Sequence, residues 1–329
     1  MKAAWFEKFG SAADVLIVGE KPDPAPAAGE VLVRLKTSGV NPSDVKKRAG
    51  AFSDLLDGGY VIPHSDGAGI IEAVGDGVPD TRIGERVWVY QAQYGRRFGT
   101  AAEYVALASN RAVTLPDHTS FEVGACLGIP AMTAHRCVFA DGPVDGQTVL
   151  VTGGAGRVGH YAIQWASQAG AKVIATASNA EDKESCLHAG AVAVVNHWET
   201  DWSVAVVAAN GGARVDRVID VEFGANLSEV LQLIRTGGVI ATYSSTQVRE
   251  PQLPFAPMMY MDLTVRMVIV YAMPEEAKMQ AVADIDQALR GERLQHRVAH
   301  SVPLAQITHS HELIEQGGFR GCVVVDIGA

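Results

Sequence analysis

Seven consecutive residues constrain this chain more than any others. Gly153-Gly154-Ala155-Gly156-Arg157-Val158-Gly159 follow the apolar run Val149-Leu150-Val151 and open a segment, Val158 to Ala169, with helical period. Glycines there permit a tight turn and a close backbone approach, and the amide hydrogens and positive dipole end of the helix then face an anion such as a pyrophosphate. Lys172-Val173-Ile174-Ala175-Thr176-Ala177 reads as the next strand, which completes a βαβ unit. Further strands are expected at Ala193-Val194-Val195, Arg217-Val218-Ile219-Asp220 and Val239-Ile240-Ala241-Thr242-Tyr243, so the sheet should be open and mainly parallel. The spacing is G-x-x-G-x-x-G, not the commoner G-x-G-x-x-G, and in isolation it also fits a structural turn. The flanking strand and helix favour a dinucleotide site. Trp202 to Ala209 is the weakest helix expected, because it is rich in β-branched valine.

The remainder of the chain is built differently. Val31 to Leu35, Gly69 to Val74 and Arg86 to Tyr90 are short β-branched or aromatic runs separated by glycine and proline turns, the pattern of a partly open all-β barrel. Pro274 to Arg290 should be a helix, and Gly321 to Ile327 a buried final strand. A chain of 329 residues exceeds what one core usually serves, so two domains are expected. A formal charge of −10 provides no general basic face for nucleic acid or acidic membrane. No window approaches a membrane span and the N-terminus lacks an apolar leader, which leads to the expectation of a cytoplasmic protein. Cys126, Cys137, Cys186 and Cys322 lack C-x-x-C spacing and suit reduced, buried thiols.

A NAD site usually carries Asp or Glu at the tip of the second strand to hold the ribose 2′-hydroxyl. Here that tip reads Ala177-Ser178-Asn179, followed by Lys183, which suits a 2′-phosphate and hence NADPH. Glu181 and Asp182 stand beside Lys183, so a solvated helix position with intrahelical pairing is the competing reading of that lysine.

Ser38-Gly39-Val40-Asn41-Pro42, Ser65 to Gly69, Leu127 to Ala134, the glycine loop, Val195-Asn196-His197, Asn226-Leu227-Ser228 and Gly237-Gly238 together form a family pattern. On these segments the chain resembles the zinc-free quinone reductases of the medium-chain dehydrogenase/reductase superfamily, in its zeta-crystallin-like branch. The resemblance implies an α/β chain with a GroES-like β-barrel catalytic domain, residues 1–122 and 268–329, and a Rossmann doubly wound parallel sheet, residues 123–267. It also implies a cofactor cleft between domains and a homodimer or a tetramer. By the same analogy Gly153, Ala155, Gly156, Arg157, Val158 and Gly159 hold the pyrophosphate. Ser178, Lys183 and His197 surround the adenosine phosphate, while Thr133, Asn226, Tyr243, Ser244, Ser245, Val268 and Val270 lie along the cofactor. Two residues depart from the family: Lys46 stands where a tyrosine often covers the cofactor, and Arg157 where glycine is usual.

No metal is expected, because His64 and Asp66 without a nearby thiolate make a poor tetrahedral site. No G-x-S-x-G elbow supports a covalent hydrolase. The expected reaction passes a hydride from NADPH to a small acceptor, a quinone or else an enone. Asn41 and Tyr60 are the catalytic candidates, and Phe52, Ile129 and Tyr243 the acceptor pocket. A non-catalytic NADPH-binding sensor or structural protein is the alternative of a different class.

Overall fold

The computed structural model describes residues 1–328. The chain divides into two units, Met1–Ile129 joined by the chain from Val282 on, and Pro130–Ala281. Both divisions fall later than residues 122 and 267. The short helix after Ser120 packs on the barrel strands and stays with them, while the turn at Val270–Ala272 packs on the first helix of the second unit.

In the first unit β1 (Lys2–Trp5), α1 (Ala12–Val15) and β2 (Ile17–Glu20) form an antiparallel pair with a helical turn between its strands. Then follow β3 (Glu30–Val40), α2 (Pro42–Arg48), β4 (Asp66–Val74), β5 (Arg86–Val89), β6 (Tyr104–Ala108), β7 (Ala112–Thr114) and α3 (Phe121–Gly124). The spine is β3, which pairs antiparallel with β4 and β6. Its alternation buries Val31, Val33 and Leu35 while Arg34 points outward, so a single face meets Ile71, Val87, Val105 and Leu107. Each such side chain contributes about 1.5–3 kcal/mol on full burial.

The second unit contains α4 (Met132–Phe139), β8 (Thr148–Val151), α5 (Arg157–Gln168), β9 (Lys172–Thr176), α6 (Ala180–His188), β10 (Ala193–Val195), α7 (Trp202–Ala209), β11 (Val215–Asp220), α8 (Phe223–Leu233), β12 (Ile234–Thr242), α9 (Phe255–Tyr260) and β13 (Thr264–Met267). Its strands are all parallel in the order β10-β9-β8-β11-β12-β13, a doubly wound sheet whose winding reverses between β8 and β11. Every residue of β8 is buried, as a central parallel strand covered on both faces requires. Despite its valines α7 is helical, because Trp202 and Val206, one turn apart, bury together against the sheet. Packing overrides propensity there.

The chain then passes through α10 (Glu275–Arg290) and returns to the barrel with β14 (Val298–Pro303), α11 (Ile307–Gln316) and β15 (Cys322–Asp326). Strand β15 pairs with β3, so the last strand closes onto the spine. The barrel sheet runs β14-β15-β3-β4-β5-β7, with β6 also on β3.

A buried hydrogen-bond chain joins α11 to this barrel. Thr100 Oγ1 donates to the Asp66 carbonyl at 2.6 Å, so the 2.7 Å bond between Ser38 and Thr100 must take its proton from Ser38. The Ser38 oxygen then accepts from His64 Nδ1 at 2.7 Å, and His64 Nε2 accepts from His311 Nε2 at 2.9 Å. With both imidazoles held neutral by burial, this leaves His311 Nδ1 as a buried acceptor with no hydrogen-bond partner among the described residues. Burial pulls His64 down to about 3 and His311 well below its ordinary value.

An unfolded chain takes up these protons near pH 6.5 while the folded one refuses them. The stability they contribute is thus present above that pH and lost as pH falls toward about 3. Urea unfolding of His64→Gln between pH 6.5 and 4.5 is expected to lose up to about 1.4 kcal/mol per pH unit less stability than the parent. Identical slopes would remove the neutral pair.

Candidate functional site

The glycine loop leaves β8 at its carboxyl end. Gly153 has φ +59°, and a Cβ there would also sit 2.9 Å from Val221 Cγ1. A Cβ on Gly159 would lie 2.4 Å from the Gly153 carbonyl oxygen, so the turn closes on the helix only with glycine at that place. Thr176 pins the loop to β9: Gly153 N donates to its hydroxyl at 3.0 Å and Gly154 N to its carbonyl at 2.9 Å. Gly156 is the N-cap of α5, and no side chain caps this helix. A twelve-residue helix thereby presents an amide-lined positive end at the carboxyl edge of the sheet.

Two cavities flank that end. The larger, about 430 Å³, lies at the tips of β9 and β10 and is lined by Ser178, Asn179, Lys183, Asn196 and Glu199 among others. Asn179 is occupied as the cap of α6. Its Oδ1 accepts from Asp182 N and its Nδ2 donates to Asp182 Oδ2, both at 2.8 Å, so the Asp182 carboxylate is bound locally and buried. Among the described residues Lys183 forms no ion pair and its ammonium no hydrogen bond, which goes against the reading of intrahelical pairing. Glu199 brings one negative charge to the same cavity, and Asn196 Nδ2 reaches it at 3.4 Å. Sequence reasoning missed Glu199, since it lies beyond the strand tip where such residues are sought. His197 packs its ring against the exposed Trp198 at 5.1 Å.

The second cavity, about 280 Å³, opens at the ends of β12 and β13 and brings together Tyr243, Ser244, Ser245 and Val268 with Phe223 and Arg249. Ser245 Oγ accepts from Gly224 N at 3.0 Å. Burial raises the Tyr243 phenol well above its ordinary value, so it stays protonated. Val270 is buried in the turn that follows, and Thr133 is buried in the first turn of α4. Between the two cavities Asp220 ends β11. Its Oδ1 accepts from Thr152 Oγ1 at 2.6 Å and from Asn226 Nδ2 at 2.8 Å, which ties the start of the loop to α8. Asp220 was also absent from the expected site, although a carboxylate at the end of a parallel strand beside the winding reversal is a legible signal.

The barrel unit holds a separate polar cluster. Asn41 is buried, its Nδ2 donates to Asp66 Oδ2 at 2.9 Å, and Ile129 N donates to the same oxygen at 2.8 Å. Burial raises Asp66 to about 8, which favours the neutral acid, and its Oδ1 has no hydrogen-bond partner among the described residues. Lys47 is buried beside it and donates to Gln93 Oε1 at 2.8 Å and to the Gln93 carbonyl at 2.9 Å. The neighbouring Lys46 is exposed on α2, and Phe52 is exposed as well. The Tyr60 ring is taken up by packing, 5.4 Å from Phe98 and 6.5 Å from Trp5, with the Lys21 ammonium 3.8 Å away.

Known proteins share this architecture and much of its sequence. Residues 27–117 match the alcohol dehydrogenase GroES-like domain model and residues 158–286 the zinc-binding dehydrogenase model. A quinone oxidoreductase from Rattus norvegicus is 36% identical over 239 residues, 72% of this chain and 71% of that one. The quinone oxidoreductase of Homo sapiens is 30% identical over 320 residues, 96% of this chain and 94% of that one. This chain belongs to the quinone oxidoreductases of the medium-chain dehydrogenase/reductase superfamily. Like its relatives it is an oxidoreductase, with a GroES-like domain and a Rossmann-type domain. A mycobacterial protein solved in complex with NADPH superposes with a TM-score of 0.86 at 27% identity, covering 99% of this chain and 100% of its own. A NAD-dependent alcohol dehydrogenase gives 0.86 at 28% identity with both chains fully covered. The family is thus NAD(P)-dependent and uses both nucleotides.

The close approach at the loop gives a direct test. Gly159→Ala should weaken nicotinamide nucleotide binding by about tenfold or more, since the amides must move apart to admit the methyl group. Near-native affinity measured by fluorescence titration would show that the loop does not grip the cofactor.

Proposed function

We propose that this oxidoreductase reduces a quinone with NADPH and needs no metal ion. The observation that carries the choice of nucleotide is Lys183, unpaired among the described residues, in a cavity whose strand tip offers Ser178 and Asn179 and no carboxylate. A 2′-phosphate would find a cation and a hydroxyl there, whereas a ribose 2′-hydroxyl would find no carboxylate acceptor at the tip. Glu199 opposes the phosphate and should make the preference moderate.

When bound, NADPH supplies the hydride. The chain's own residues bind and orient it: Ala155, Gly156, Arg157 and Val158 at the pyrophosphate, Ser178, Lys183 and His197 at the adenosine phosphate. Asn226, Tyr243, Ser244, Ser245, Val268 and Val270 would lie along the remainder, with Thr133 on the neighbouring helix. In the barrel unit Asn41 is the proposed donor to the acceptor oxygen, held in place by the neutral Asp66 carboxyl. Phe52 and Ile129 are proposed walls for a flat ring. Tyr60 acts in this reading through packing. Supporting the metal-free reading, no group of three or more His, Cys, Asp or Glu side chains among the described residues is placed to hold an ion.

A homodimer formed along the exposed edge of β13 is the proposed assembly, supported by the outward Met267 there and by Phe255 and Tyr260 on α9. Cytoplasmic residence is proposed from four free, buried thiols. No helix among the described residues is long and apolar enough to cross a membrane.

Fluorescence titration with NADPH and NADH tests the nucleotide. Lys183→Ala should raise the NADPH Kd about tenfold and leave that of NADH within about threefold, while Glu199→Gln should tighten NADPH alone. Equal effects on both nucleotides would overturn the 2′-phosphate assignment. In the same cuvette, NADPH oxidation by benzoquinone is expected. Oxidation by enones alone would make the chain an alkene reductase, and binding without turnover would make it a sensor.

A further inference from the structure

The second unit contains another cavity, again about 280 Å³, whose two arginines none of the steps above uses. It shares Met267, Val268 and Ile269 with the Tyr243 cavity but is otherwise lined by Arg136, Arg266, Ala272 and Met273, with Pro274 at its rim. Two of these are guanidiniums, and their surroundings are unusual in a chain of net charge −10. Arg136, Arg217 and Arg266 all act on one carboxylate, Asp141, so the neighbourhood holds two more positive than negative charges.

The three arginines are not equivalent. Arg266 grips Asp141 with two hydrogen bonds, the one from Nε at 2.6 Å. Arg217 is fully buried, and its terminal nitrogens are committed to the carbonyls of Val138 and Asp141, the latter at 2.9 Å. Arg136 is half-buried on α4 and its guanidinium makes no hydrogen bond and no ion pair among the described residues. Burial and the neighbouring Arg266 both pull it below the ordinary arginine value, as expected of a cation short of counter-charge. A guanidinium withdrawn from water without a partner is costly, and an arriving anion would remove that cost.

We propose that this cavity is a binding site for a small organic carboxylate. Its two oxygens meet the planar fork of Arg136, which matches a carboxylate bidentately, with the field of Arg266 behind it. Its carbon body rests on Ile269 and on Met267 and Met273, whose flexible thioethers adapt to an apolar ligand. The apolar lining separates an organic anion from an inorganic one. The site shares Val268 with the proposed cofactor path and Met267 with the proposed dimer edge, while its two arginines line neither the Tyr243 cavity nor the Lys183 cavity. The same carboxylate chemistry has a second source, an Asp or Glu side chain of another copy of this chain, and the test distinguishes the two.

Isothermal titration of the whole protein with benzoate is expected to show one saturable site per chain. Benzamide, the neutral isostere, and inorganic sulfate, the anion without a carbon body, should each bind at least about tenfold more weakly. Arg136→Gln should cost benzoate about tenfold or more in affinity. Ala272→Phe places a ring in the cavity from an exposed position, away from the core, and should abolish binding with an unchanged melting temperature. That second variant decides the matter if Arg136→Gln does not fold. No saturable benzoate binding, benzoate binding untouched by these variants, or sulfate binding as tight as benzoate would each overturn the proposal. So would dissociation of a dimer on Arg136→Gln in a protein that ignores benzoate, because the carboxylate would then belong to the second copy.

Discussion

The positive end of α5, which no side chain caps, is the feature around which the second unit is arranged. A helix of twelve residues with a glycine N-cap and no capping side chain turns its positive end toward the carboxyl edge of the sheet, where an anion would be favoured. Everything nearby serves that end. Thr176 holds the loop to β9, and Asp220 holds Thr152 and Asn226 at the place where the winding of the sheet reverses. Buried beneath the loop, Asp220 is itself pushed up in pKa by desolvation and stands under the positive end of α5 as a hydrogen-bond hub. The two flanking cavities are consequences of parallel topology, which gathers strand ends, loops and helix N-termini at one edge.

The barrel unit solves a different problem. Its polar groups at Asn41, Asp44, Lys47, His64 and Asp66 are all buried, and a set of isolated charges would be prohibitive there. Desolvation lowers Lys47 and His64 and raises Asp44 to about 6 and Asp66 to about 8, so burial pushes every one of these groups toward its neutral form. Hydrogen bonds hold these groups in place, and the attraction of Lys47 for Asp44 and Asp66 opposes part of that push. The pH responses of the two residue types oppose one another: acid costs the histidines their neutral state but favours the protonated carboxyls, so the net acid response of the barrel is smaller than either alone.

The second unit is legible in the sequence to a degree the barrel is not. Glycines at Gly153 and Gly159 report a local steric demand that a few neighbouring residues satisfy, and the strand before them and helix after them follow from periodicity. Ser178 and Lys183 can be found because they lie a short, countable distance along the chain from the loop. Glu199 cannot, since its place in the cavity depends on where β10 ends and its chain turns back. The valines of α7 argue for a strand and are overridden by the burial of Trp202 and Val206. In the barrel, the resemblance points to Asn41 but nothing local shows that its partner is Asp66, 25 residues on, or that His64 meets His311, 247 residues on. Such long-range pairings are decided by sheet register and by the return of the last strand, which no local pattern encodes. Tyr60 packs its ring near Trp5, Phe98 and Lys21, neighbours that its own stretch of sequence does not reveal.

The hydrogen bonds around Asp66 also bear on why Asn41 is well placed for chemistry. An amide donating to an ionised carboxylate would be held strongly and polarised toward it, leaving its second N–H a poorer donor to anything else. Burial pushes Asp66 toward the neutral acid, and a neutral acid accepting at Oδ2 from both Asn41 and Ile129 positions the amide with less of that competition. On the proposed role of Asn41, the strength of the donor offered to an acceptor oxygen would then be governed by a group that never touches it. The depth at which β4 buries Asp66 would bear on reactivity as well as on fold.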